Sequence, residues 1–101
     1  MSEQLIRAAI GSRRVITFYA KEFSRTGEPH LLGISRKTGS LQVELFQTAG
    51  GSVGNKGPVP AWRRFDVAEI SRVVVTDLTF VPQSDFNPYH DHWEQVSACV
   101  A

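Results

Sequence analysis

The residues best suited to chemistry cluster in a few short stretches. Tyr89-His90-Asp91-His92 places two imidazoles two positions apart, on one side of an extended segment, with Asp85 or Asp91 able to join them. Zinc needs three or four such ligands and a second layer to orient them. The remaining histidine, His30, is distant in sequence, and Cys99 is the only cysteine. No metal site is therefore expected, and the simpler reading is surface imidazoles on a tail packed by rings. Cys99 lies among small apolar residues, which suits a packed thiol and not a nucleophile with a base beside it. The run Gly50-Gly51-Ser52-Val53-Gly54-Asn55-Lys56-Gly57 superficially resembles a phosphate cradle. It lacks the Gly-Lys-Ser/Thr ending and leads to Pro58 and a strand, so no helix N-terminus faces an anion. A mobile hairpin loop is expected there, with a lid role for Lys56 as the alternative. No poised base or nucleophile emerges, so neither an enzyme nor a cofactor is expected.

Charge adds one further hint. Ten of the eleven Lys and Arg residues fall within Met1–Arg64 against four acids, a balance of +6, and the rest of the chain carries −5. A polar chain of this kind can present a basic face to an anion while its net charge stays near zero. Interleaving of the two halves in one fold would cancel the effect.

These groups must be held by short elements. Apolar residues at 5, 6, 9 and 10 have helical spacing, with Ser2 as the expected N-cap and Gly11 as the stop. Arg13–Tyr19 alternates as a strand, with Val15, Thr17 and Tyr19 on one face and Ile16 and Phe18 on the other. Residues 21–27 read as a polar turn, 28–36 as a second strand, and Lys37-Thr38-Gly39-Ser40 as a hairpin turn. Further strands are expected over 41–48, 62–67 and 71–76, with a helical turn at 66–69. The aromatic segment after Leu78 is expected to wrap the molecule as an arm ending in a short strand near 96–100. A helix and about five closely spaced strands predict a mainly β fold, a small antiparallel barrel that closes off its own edges.

Length and composition agree with one domain over residues 1–101, its core about 5–80 and its arm about 81–101. No apolar run approaches the length of a membrane span, and the first residues carry an acid and no apolar leader. With one cysteine and thus no disulfide framework, a cytoplasmic location and no membrane partner are expected.

The order of several pieces resembles the WYL domain family. They are Ile6-Arg7-Ala8-Ala9-Ile10, Arg13 through Tyr19, Arg25, Glu28-Pro29-His30-Leu31-Leu32-Gly33, and Arg63-Arg64-Phe65-Asp66-Val67-Ala68-Glu69-Ile70. The sequence departs from the family at Leu41-Gln42-Val43, where the eponymous Trp-Tyr-Leu would fall. It also departs at Asp66 and Glu69, where the family often has bases. The resemblance implies an Sm-like barrel and a non-catalytic sensor for a nucleotide or single-stranded nucleic acid, of the kind found in transcription regulators. Without a helix-turn-helix, this chain is expected to act on a partner chain or simply to bind its ligand. The positions matching the family's polar and aromatic signature are Tyr19, Arg25, His30, Arg63 and Phe65. Arginine forks suit phosphate, rings suit a flat base, and a neutral histidine adds one donor or acceptor. A core role for Phe65 and solvated arginines form the plainer reading. The alternative function is protein interaction or self-association through the aromatic arm.

Overall fold

The computed structural model describes residues 2–51 and 58–100, so Lys56 and the middle of the glycine-rich stretch lie outside the described residues. Helix α1 (Ser2–Ser12) buries Ile6, Ala9 and Ile10. It runs through Gly11, where the expected stop falls, and the chain reverses at Arg13 with φ 53°. Packing of the three apolar residues sets the length, and one exposed glycine costs a helix only about 1 kcal/mol. Ser2 does not act as the expected cap. Its hydroxyl donates to the Ile70 carbonyl at 3.1 Å and ties the helix to a distant turn.

Strand β1 (Arg14–Ala20) buries Ile16, Phe18 and Ala20, as its alternation requires. Strand β2 (Phe23–Ser35) starts five residues earlier than expected. The connection is only Lys21-Glu22, with φ 49° and 71°. Positive φ at both turn residues matches the twist of the flanking strands, though neither residue is one that favours it. A polar composition therefore hides a tight hairpin.

The other strands are β3 (Leu41–Gly50), β4 (Ala61–Asp66), β5 (Ser71–Thr79) and β6 (Trp93–Cys99), with a 3-10 turn at Val67–Glu69 before β5. The hydrogen-bonded order is β4-β3-β2-β1-β5, and β6 adds to β2. Every pairing is antiparallel, and no ladder among the described residues closes the sheet on itself.

β2 holds the sheet together. One of its edges carries β3 along most of its length. The other carries β1 against Phe23–Gly27 and β6 against Leu31–Ser35. Residues 28–30 fall in the gap between them, and there a bulge separates Pro29 from Leu31 in the pairing with β3. Pro29 sits deep inside the strand, not near its start as expected. The gap explains why it is tolerated, since neither β1 nor β6 asks it for an N–H.

In the core, Ile6, Ala9 and Ile10 of α1 join Ile16, Leu32, Val43, Leu45 and Phe65 of the sheet in one buried apolar cluster. Each such side chain contributes about 1.5–3 kcal/mol on burial. Phe80, Phe86 and Trp93 from the arm cover other parts of the sheet, so the arm is part of the packing. No helix among the described residues is long and apolar enough to cross a membrane.

Gly33 marks where β6 crosses β2. A Cβ there would meet the Gln95 carbonyl at 2.7 Å and the Trp93 ring at 2.8 Å. Gly33→Ala is expected to destabilise the protein by about 1–3 kcal/mol by overpacking, read as a lower midpoint in urea. An unchanged midpoint would show that β6 does not sit this close.

Candidate ligand groove along strand β4

β4 is an edge strand, paired among the described residues with β3 alone. Alongside it runs a groove of about 740 Å³, lined by Lys21, Arg25, Glu44, the four residues Trp62 to Phe65, and Asp85, Phe86, Asn87 and His90 from the arm. Four Lys or Arg side chains face two carboxylates in it.

Arg25 lies deepest and is only 3% exposed. It pairs across the strands with Phe18, which directs it toward the core face. Its Nε donates to the Ala20 carbonyl at 3.0 Å, and Nη1 donates to Gln47 Oε1 at 3.3 Å. Gln47 is itself fully buried, and its amide nitrogen donates to the Ala49 and Gly51 carbonyls, which turns its oxygen toward the arginine. The guanidinium rests 4.8 Å above the Phe65 ring. Its last nitrogen, Nη2, is buried and has no partner among the described residues. Burial and the neighbouring Arg63 both lower the Arg25 pKa, but arginine stays protonated in proteins. An unsatisfied charged donor of this kind costs about 1–3 kcal/mol or more.

Alternation along β4 places Arg63 with Phe65 on one face and Trp62 with Arg64 on the other. Arg63 Nη1 reaches the Trp62 carbonyl at 3.2 Å. Arg64 Nε donates to Glu44 Oε1 at 2.7 Å, and its guanidinium lies 5.7 Å from the Trp93 ring. Glu44 is almost buried, so Arg64 is engaged in neutralising it. Trp62 fastens the arm: its Nε1 donates to Asp85 Oδ2 at 3.2 Å, and its ring stacks on Phe86 at 5.9 Å.

Three of the five expected residues come together. Arg25 and Arg63 line the groove, and Phe65, 4% exposed, forms its floor as well as part of the core. Tyr19 does not join them. Strand alternation turns it away from Phe18 and Ala20, and the Arg72 guanidinium lies 5.0 Å above its ring. His30 does not line the groove either. It has no exposed surface and sits in the β2 gap against Trp62, Phe80 and Phe86. The Gln83 amide N–H donates to Nε2 at 3.0 Å, so Nδ1 carries the proton and donates to the Glu28 carbonyl at 2.8 Å. Burial pushes the His30 pKa down. Lys21, Trp62, Arg64 and the arm residues complete the groove. In the sequence, the signals were the aromatic-basic-basic-aromatic run Trp62-Arg63-Arg64-Phe65 and the resemblance that named Arg25, Arg63 and Phe65.

The remaining candidates are occupied otherwise. His92 Nε2 shares a hydrogen with Gln42 Oε1 at 2.8 Å, and the His92 amide donates to His90 Nδ1 at 3.0 Å. No group of three or more metal-ligating side chains forms among the described residues. Cys99 is exposed on β6, contrary to the packed thiol expected, because alternation turns it away from the buried Val100 beside it. At the positions of the absent Trp-Tyr-Leu, Val43 joins the core and Gln42 donates to Asp66 Oδ1 at 2.8 Å. Ser40 also donates to that oxygen, and the two bonds lower the Asp66 pKa.

Comparison with known proteins finds no matching family model, no matching curated protein and no matching solved structure.

The Arg64–Glu44 pair yields a test of which arginines are structural. Arg64→Met leaves the Glu44 carboxylate without its ion pair and is expected to cost about 1–3 kcal/mol, less than a fully buried pair. Arg64→Met with Glu44→Gln should recover most of that loss in a double-mutant cycle measured by urea unfolding. Additive losses would mean that the two side chains act separately.

Proposed function

We propose that the chain is a non-catalytic binding module that takes a phosphate-bearing ligand, a nucleotide or a short single strand, in the groove along β4. The buried Arg25, whose Nη2 has no partner among the described residues, supports this reading together with the neighbouring Arg63. A protein gains little stability from burying a guanidinium one donor short, whereas an anion meeting two forks gains charge-assisted hydrogen bonds. Phe65 and Trp62 give the groove an aromatic lining suited to a base. The resemblance to WYL domains points the same way, and with it come the closed Sm-like barrel, a role in regulation and a cytoplasmic setting as parts of the proposal.

Self-association or protein docking through the arm is the second reading. Phe86 and Trp93 pack against the molecule itself, which leaves Tyr89, 91% exposed, and Val81, 82% exposed, as its support. Apolar groups left in water mark possible contact surfaces only when they form a patch.

Titration with a panel of nucleotides and a single-stranded oligonucleotide at two salt concentrations tests the leading reading. Two arginine–phosphate contacts on a single strand predict a slope of log K against log salt near −1.4, at roughly −0.7 per phosphate. Arg25→Gln and Arg63→Gln should each weaken binding by about 1–3 kcal/mol, while Tyr19→Phe should leave it unchanged. Absence of binding to every ligand, or equal loss in the Tyr19 variant, would refute the groove.

A further inference from the structure

Among the described residues, His30 is the one titratable side chain with no exposed surface, bonded at both ring nitrogens and placed between the sheet and the arm. The arm supplies the groove wall formed by Asp85, Phe86, Asn87 and His90. Ahead of the β6 ladder on Leu31–Ser35, its attachment to β2 is local. Gln83 gives its amide N–H to His30 Nε2 and its side-chain nitrogen to Glu28 Oε1 at 2.9 Å. Both bonds fall at the gap in β2, where neither β1 nor β6 pairs and the side chains of Glu28 and His30 hold the arm.

We propose that His30 is a pH-operated latch, holding the arm against β2 when neutral and releasing it when the ring takes a second proton. The chemistry is a change of sign at one atom. Neutral Nε2 accepts from an amide that can only donate. Protonated Nε2 is a donor facing that same N–H, and the His30 ring, with no exposed surface, has no water to turn to while the arm is in place. The imidazolium would also sit among the Trp62, Phe80 and Phe86 rings, where charge is poorly solvated. Three acids face the ring: Glu28 from β2, Glu44 from β3 and Asp85 from the arm. They favour the charged form, but burial outweighs them and the ring titrates below the ordinary imidazole value of 6.5. The direction follows. A lowered folded-state value means that the latch stabilises fully above the unfolded imidazole range and is lost as pH falls through the folded one. The consequence for the groove rests on the ligand reading above: Gln83 lies two residues before Asp85, so its release loosens the wall that Asp85 and Phe86 form against Trp62, and ligand affinity falls in the same pH step.

The experiment uses the intact chain labelled with nitrogen-15. His30 ring nitrogen shifts and amide protection factors are followed from about pH 7.5, above the ordinary imidazole value, downward until the core amides lose protection. The expected result is protonation of His30 together with a fall of about tenfold or more in Gln83 protection, while the Ile16, Leu32 and Val43 amides stay protected. Protection at Gln83 that survives His30 protonation would overturn the latch. So would simultaneous loss at the core amides, which means global unfolding, or a ring that stays neutral until the protein unfolds. In His30→Gln the step at Gln83 should disappear; if that variant does not fold, the titration of the natural chain still decides. An octathymidylate strand, whose diesters do not titrate in this range, probes the groove. Affinity that is unchanged across a demonstrated opening overturns the coupling. Absence of its binding at the upper pH, repeated across the nucleotide panel, sinks the ligand reading alone and leaves the latch to the exchange data.

Discussion

The structure depends on one strand having three neighbours. β2 pairs with β3 along one edge and divides the other between β1 and β6. The constraint is geometric: a strand edge offers one row of donors and acceptors, so β1 and β6 can share it only end to end. Where one stops and the other begins, backbone groups need other partners. Pro29 occupies the break because it has no N–H to satisfy there. His30 occupies it because its ring reaches a donor outside the sheet. The Val100 amide caps the His30 carbonyl at 2.9 Å. A break in pairing thus becomes the place where the arm is attached.

The groove follows from the same arrangement. With β1 and β6 on one side of β2, β3 and then β4 extend the sheet on the other, and β4 ends it. Alternation then sends Arg63 and Phe65 to the core face, where Arg25 arrives from β2, and sends Trp62 and Arg64 to the face that the arm covers. The two arginines on β4 have different work. Arg64 compensates the nearly buried Glu44, and Arg63 lies on the face of Arg25, whose outermost nitrogen is unsatisfied among the described residues. Polar groups buried in this way are conventionally read as structural when every donor is used. Here one donor is left over, and it belongs to the strongest hydrogen-bonding cation available.

The mainly β character, the helix and most strands were legible in the sequence, because a period of two or of 3.6 in apolar residues reports directly on which face is dry. Closure of the sheet into a barrel was not legible there. Ile16, Phe18, Val43 and Leu45 were placed by alternation alone. What the pattern missed lay at the junctions. Lys21-Glu22 carries none of the residues that announce a tight turn, so the first third of β2 looked like loop. Gly11 announced a helix end that packing overrode.

By its residue types and spacing, the sequence determined the mainly β character, the helix face and the identity of the basic and aromatic side chains. The resemblance to WYL domains, not residue types or spacing, singled out Arg25, Arg63 and Phe65, which line the groove, together with Tyr19 and His30, which do not. Tertiary structure alone decided that Tyr19 faces elsewhere, that His30 is a buried tie to the arm, and that Lys21, Trp62 and Asp85 border the same space. The reason is the range over which each is specified. Alternation is fixed by neighbours in the chain, whereas strand order, the division of β2 and the path of the arm are set by pairings between residues dozens of positions apart, which no local period records.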